Sequence, residues 1–467
     1  MRLDESVAQR LRGADYDRWM RNVASTGYCH NPVRLVGSST TLHEPSGEVL
    51  SEYASAGEPD GVTFTRCGNR RATRCESCSH EYKGDTWHMI MAGAAGGMKD
   101  VPEEVAEHPM AFITLTAPSF GAVHAASVDH RRGNCEHGQP RGCRCDHSSD
   151  DARLGDPVCE DCYDYVGQVV WQFHAPELWR RFTIRLRREL AQVLGMTQAS
   201  AAKVVRVQFA KVAEFQRRGV VHFHAIVRLD GVHETMPYPA PPAAVTVDHL
   251  VAAARAAVRK THAIAEPLPG DAASRVLVWG RQFDIRPIIR RSHVYGNLGE
   301  SSESLDSPRL SDRAVAAYIA KYATKATEDL EPTGAGRDHI KRIKSTVREL
   351  AAVVDSEGPY EQLHRWDGML GFRGHFSTKS RRYSVTLGSL RGARRTWRLK
   401  HLLSKTKPTE EICPDEVLVI GSWAYAGMGW LTDGDKALAR EAADAARQWR
   451  HDRARDRTTR LHERSTT

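Results

Sequence analysis

Two histidines one residue apart, His222 and His224, sit inside the apolar run Val220-Val221-His222-Phe223-His224-Ala225-Ile226-Val227. Side chains on a strand alternate faces, so both imidazoles point one way while Val221, Phe223 and Ala225 fill the other face. Paired imidazoles on a rigid strand make half of a divalent-metal site. An isolated doublet of this kind is more often structural, and it gains weight here from its neighbours in the chain. Glu214 precedes it on what reads as the partner strand of a hairpin, within reach of the same ion across the ladder. Downstream comes Tyr318-Ile319-Ala320-Lys321-Tyr322-Ala323-Thr324-Lys325, and upstream the Thr-rich Phe112-Ile113-Thr114-Leu115-Thr116.

On a helix, residues four apart share a face, so Tyr318 and Tyr322 present their hydroxyls together, with Lys321 and Lys325 repeating the spacing beside them. A free phenol has a pKa of about 10, so a tyrosine nucleophile needs a nearby cation or metal to favour phenolate. The lysines can supply that charge or hold a phosphate. A metal on the histidines would polarise a phosphate oxygen and stabilise charge in an in-line transition state. The plain alternative is an amphipathic helix with a Tyr/Ala stripe and solvated lysines.

In this order the three stretches resemble the three motifs of the replication initiators of rolling-circle plasmids and integrative elements in actinobacteria, which are HUH endonucleases. Those motifs are an apolar Thr-rich strand (here 112–116), a His-hydrophobic-His strand (222–224) and a helix with tyrosines and lysines (318–325). The likeness covers roughly residues 25–430, including Gly219-Val220-Val221-His222 and Gly371-Phe372-Arg373-Gly374-His375-Phe376-Ser377. It implies a catalytic Mg²⁺ or Mn²⁺ on His222, His224 and Glu214, with Tyr322 as the nicking nucleophile and Tyr318 as the second group. Attack would leave a 5′-phosphotyrosyl link and a 3′-hydroxyl primer, and a later transfer would rejoin the strand. The implied partners are single-stranded or cruciform origin DNA and a host polymerase. The chain has no Gly-x-x-x-x-Gly-Lys-[Ser/Thr] loop, so a host helicase is expected as well. Two other readings share some of these features. One is an HUH relaxase or transposase acting in DNA transfer, although relaxases usually carry the tyrosine ahead of the His motif. The other is a non-catalytic zinc protein that binds DNA.

The chain has 467 residues, enough for about three domains, with a net charge of +8, which suits a polyanionic partner. Residues 1–20 mix charges without an apolar core, and no apolar run is long enough to cross a bilayer. A cytoplasmic protein without a membrane partner is therefore expected, and ten cysteines in a reducing compartment argue for Zn²⁺ ligation. Cys29, Cys67, Cys75 and Cys78 form one candidate set, in which Cys75-x-x-Cys78 is a ready half-site. A second set is built on Cys159 and Cys162, completed by Cys135 and Cys143, with Cys145 or His147 as substitutes. Cys413 stands alone. Between Gly371 and Thr409 there are eleven Lys/Arg and no Asp or Glu, interleaved with aromatic residues. This suits a phosphate track, with Arg381, Arg382, Arg394 and Arg395 as DNA contacts.

The elements that must position these groups follow from periodicity and punctuation. An amphipathic helix is expected over 1–24 and a strand over 112–116, stopped by Pro118. A long helix over 167–196 and a hairpin of 204–215 and 220–229 come next, turning at Gly219. A helix over 247–265, strands at 276–279 and 283–289, and the tyrosine helix from Ser311-Asp312 to about Thr327 complete the middle of the chain. The tail over 433–467 reads as a charged helix giving way to disorder. The fold class is α+β: an antiparallel sheet with flanking helices, exposed on one face, of HUH/RRM-like design by resemblance. The expected divisions are 1–100 with the first zinc segment, 101–330 as nuclease with a zinc insertion at about 130–165, and 331–467 as a basic DNA-binding region.

Overall fold

A computed structural model describes residues 2–129, 131–289, 310–311, 315, 318, 338–355, 357–406 and 413–465. The chain forms two compact units: one runs from the N-terminus to Thr86 and resumes at Thr386, and the other begins at Trp87 and ends at Val385. The segment 331–467 is thus divided between them.

In the first unit the single helix expected over 1–24 is two, Leu3–Arg12 and Tyr16–Ser25, because Gly13 is extended and closes the first helix with a bond from its N–H to the Arg10 carbonyl. Trp19 and Val23 are buried against Phe64 and Trp430. Four strands form an antiparallel sheet: β1 (Val33–His43), β2 (Val49–Ala54), β3 (Thr63–Thr65) and β12 (Val417–Met428). β12 pairs along the whole of β1, from Val33↔Met428 to His43↔Val417. Periodicity did not mark β12, since Leu418, Val419, Ile420, Trp423 and Tyr425 are exposed without alternation.

The second unit is built on a six-stranded sheet. At its centre are β4 (Met110–Leu115), β5 (Val205–Phe215) and β6 (Val221–Gly231). β6 lies between the other two, antiparallel to both, and β5 and β6 are the expected hairpin. A small pair, β7 (His262–Ala265) and β8 (Arg275–Val278), lies apart from this sheet. β9 (Phe283–Ile289) extends it beyond β4, followed by β10 (Leu310–Ser311), and β11 (Ser377–Lys379) extends it beyond β5. The expected helix over 247–265 ends at Lys260, and the chain continues as β7.

One face of the sheet carries Ala111, Ile113, Leu115, Ala213, Phe223, Ala225 and Val227. It packs in a single core with Val170, Phe173, Leu178 and Phe182 of the long helix Tyr165–Val193 and with Leu250, Ala254 and Ala257 of the helix Val247–Lys260. The opposite face carries Phe112, Thr114, Glu214, His222, His224 and Arg228. The expectation of an exposed face is corrected here, because Phe112, Ile226 and Arg228 are 4%, 0% and 0% exposed. Arg228 pairs bidentately with Asp230, donates to the Gly93 carbonyl and lies over the Tyr383 ring, so the start of this unit and its last residues cover that part of the sheet.

Candidate functional site

Register brings the three candidate ligands together. Glu214 on β5 is the direct partner of His222 on β6, and His224 follows on the same face. Glu214 Oε2 lies 2.9 Å from His222 Nε2 and 3.3 Å from His224 Nε2, and the two Nε2 atoms are 3.1 Å apart. Three ligands with bonds of about 2.1 Å in cis positions of an octahedron would be about 3.0 Å apart, so the set fits one divalent ion. Three protein donors on one side of an ion leave its other positions for substrate. The side chain of His224 is 4% exposed and that of His222 15%, which puts the rim of the site at His222.

His224 is held on both sides. Its Nδ1 lies 3.0 Å from Thr114 Oγ1 on β4, where Thr114 and His224 are direct partners. Phe112 stacks on its ring, with centroids 5.6 Å apart and planes 4° from parallel. Committing Nδ1 to the threonine turns Nε2 toward Glu214 and His222, the usual way in which a neighbouring group orients an imidazole that could hold a metal. The sequence marked the Thr-rich strand as a motif without assigning this task to Thr114.

The Tyr318 hydroxyl reaches the same point, 3.2 Å from His224 Nε2, and its ring stands edge-on to both His224 and Phe112. Tyr322, Lys321 and Lys325 lie outside the described residues.

The cysteines fall into groups that the sequence resolved only in part. Cys29, Cys67, Cys75 and Cys78 converge as expected. The Cys29–Cys75, Cys67–Cys78 and Cys29–Cys78 sulfur pairs are each 3.7 Å apart. Tetrahedral zinc with bonds of about 2.3 Å requires edges of about 3.8 Å, so this set fits the ion. The amides of His30, Cys67 and Asn69 point at Cys75, Cys29 and Cys67, as they do around thiolate ligands. Burial pushes the Cys67 thiol up to about 11, so in the absence of a cation this thiol stays protonated at neutral pH.

In the second set Cys135, Cys159 and Cys162 converge with His137, and the expected Cys143 is corrected. A tight turn, with the Cys135 amide bonded to the Gln139 carbonyl, swings His137 back until its Nδ1 lies 3.3 Å from Cys162 Sγ. Cys143 groups instead with His124 and His147. Cys145 and Cys413 are exposed and join no such group among the described residues.

Of the arginines expected to meet DNA, Arg381, Arg382 and Arg395 are exposed. Arg394 is committed elsewhere: its guanidinium pairs bidentately with Asp85, which is 3% exposed, and also reaches Glu81. It is therefore removed from the phosphate-contact set, because leaving would strand a buried carboxylate.

No helix among the described residues is long and apolar enough to cross a membrane. Comparison with known proteins identifies one family over most of the chain, described as replication initiator protein, pSAM2 (RepSA), which matches residues 15–444. A replication initiator protein of Streptomyces ambofaciens is 42% identical over 441 residues, covering 91% of this chain and 89% of that protein. No solved structure matches.

Proposed function

The chain belongs to the RepSA family of replication initiators, and from that premise we propose that it starts rolling-circle replication by nicking one origin strand through a tyrosine, as an HUH-type nuclease. The observation that carries this reading is the meeting of Glu214, His222 and His224 at one point on a rigid sheet, with the Tyr318 hydroxyl reaching that point from outside the sheet. A Mg²⁺ or Mn²⁺ ion on the three ligands would polarise the scissile phosphate and stabilise charge in the transition state. Glu214 and the two imidazoles fix where the phosphate must sit. Thr114 and Phe112 fix the angle of His224. The tyrosine oxygen forms a bond to phosphorus and the P–O3′ bond breaks, giving a 5′-phosphotyrosyl link and a free 3′-hydroxyl that serves as primer. A second tyrosine transfer rejoins the strand after one round.

The position of the Tyr318 hydroxyl favours Tyr318 as the attacking group, where the family resemblance favours Tyr322. We assign Tyr318 to the nick and Tyr322 to the later transfer. Arg381, Arg382 and Arg395 supply phosphate contacts that hold origin DNA without taking part in the chemistry.

The test is incubation with labelled single-stranded origin DNA and Mn²⁺, followed by a denaturing gel. A DNA band shifted by the protein's mass supports the nuclease. Retention of DNA in native gels with neither adduct nor nick, whatever the metal, supports the DNA-binding zinc protein instead.

A further inference from the structure

His124 Nδ1, Cys143 Sγ and His147 Nε2 form a triangle whose edges are 3.0, 3.4 and 3.2 Å. Two imidazole nitrogens and a thiolate around tetrahedral zinc would stand about 3.3 and 3.6 Å apart, and the observed edges lie within a few tenths of an ångström of these. Cys143 is 2% and His147 4% exposed, so three donors of a zinc-binding type converge in a largely buried place. The other ring nitrogen of His147 is already engaged, with Nδ1 2.7 Å from Asp151 Oδ2. A carboxylate there fixes the tautomer that leaves Nε2 free to bind a metal. None of these residues belongs to the Cys135–His137–Cys159–Cys162 set.

The surroundings indicate what such a site would hold. His124 is paired through its backbone with Gly155 and Asp156, which ties 122–124 to 155–158 as a short ribbon. The loop that follows His147 rests on the turn of the hairpin carrying Glu214 and His222. Arg217 in that turn donates to the Ser149 and Asp151 carbonyls at 2.8 and 3.2 Å. Gly155 has φ of +90°, and a Cβ there would come within 2.6 Å of the Arg217 backbone, so loop and turn meet main chain to main chain. Arg218 on the same turn donates to the Ala117 and Pro118 carbonyls at the end of β4.

We propose that His124, Cys143 and His147 form a third zinc site, oriented by Asp151, which pins the 143–156 loop against the β5–β6 turn. With three protein donors and one position left to a further ligand, the ion would stand in for a hydrophobic core that this polar loop cannot build.

Zinc counting on the full-length protein by native mass spectrometry tests this, after washing with a weak chelator that spares buried thiolate sites. The wild type should carry three zinc ions per chain. Cys143→Ser and, separately, His124→Gln should each carry one fewer than the wild type while keeping the circular-dichroism spectrum. Peptide mapping after N-ethylmaleimide treatment gives a readout that needs no variant: Cys143 should label only once a strong chelator has removed zinc. Two ions in the wild type with Cys143 labelling unaffected by the chelator, or an unchanged count in both folded variants, would overturn the proposal.

Discussion

The Tyr318 hydroxyl lies 3.2 Å from His224 Nε2, although the two residues are 94 positions apart in the chain. A phenol oxygen thus stands at hydrogen-bond distance from an imidazole that shares one point with Glu214 and His222, and this proximity is what the proposed attack of a tyrosine on a phosphate would use.

Replacing His222 or His224 by Ala, or Glu214 by Gln, should bring cleavage to background while native-gel binding of origin DNA stays within about threefold, if these three side chains hold the proposed ion and separate phosphate contacts supply the affinity. Thr114→Val keeps the volume and removes the oxygen beside His224 Nδ1. It should raise the Mn²⁺ concentration for half-maximal nicking by about 10–100-fold, as losing a partner of a metal-bound imidazole does. Equal cleavage by Thr114→Val and wild type at limiting Mn²⁺ would show that the threonine does not position the ring.

Much of this site was legible because strand chemistry is regular. Alternation alone set His222 and His224 on one face, and a two-strand hairpin around Gly219 put Glu214 opposite His222. What was not legible depends on contacts distant in sequence. Thr114 looks like an ordinary strand residue until β4 pairs with β6. His137 joins Cys162 only through a turn whose backbone bonds no spacing rule reveals. The meeting of His124 with Cys143 and His147 is hidden for the same reason, and Arg394 resembles a phosphate contact in sequence because its partner Asp85 lies far back in the chain. The long β1–β12 pairing is not legible in the sequence because β12 has no polar alternation to mark it.

The two groups of exposed and committed arginines should separate experimentally. Changing Arg381 and Arg382 to Gln should weaken origin binding and reduce its salt slope by up to about 2, one for each lost phosphate contact. Arg394→Ala should act on stability instead, lowering it by roughly 2–3 kcal/mol in denaturant unfolding, because Asp85 is left buried without its cation. A reduced salt slope with unchanged stability in Arg394→Ala would return this residue to the DNA contacts.

Lys211 is 4% exposed, with Nζ 3.1 Å from the His375 carbonyl and 4.4 Å from the Phe223 ring centroid, and burial depresses its pKa to about 7. The unfolded chain would hold that proton up to about pH 10.4, so between pH 7 and 10 unfolding takes up a proton and folding is favoured as pH rises. Below pH 7 both states hold the proton, and the buried charge opposes folding in full. Lys211→Met, which keeps the length of the side chain, should therefore raise stability by roughly 2–4 kcal/mol at pH 6 and flatten the rise between pH 7 and 10. Urea unfolding across that range decides it, and a variant less stable than wild type at pH 6 would show that the Lys211 bond to His375 outweighs desolvation.

Cys78→Ser removes one corner of the Cys29–Cys67–Cys75–Cys78 set. It should cost one zinc ion and lower the first thermal transition by 10 °C or more, on the order of what loss of a structural zinc does to a small unit. Retention of wild-type zinc content would mean that these thiols hold no metal.

Whether Tyr318 makes the covalent bond to DNA is read directly by mass spectrometry of the nucleotide-linked peptide from a nicking reaction with Mn²⁺ and single-stranded origin DNA, run for the wild type, Tyr318→Phe and Tyr322→Phe. Each substitution removes one hydroxyl and keeps the ring, so folding should survive in both. The nucleotide should sit on Tyr318 in the wild type, with adduct at background in Tyr318→Phe and adduct retained but rejoining lost in Tyr322→Phe. A nucleotide found on Tyr322, with full adduct in Tyr318→Phe, would show that Tyr318 is not the attacking group.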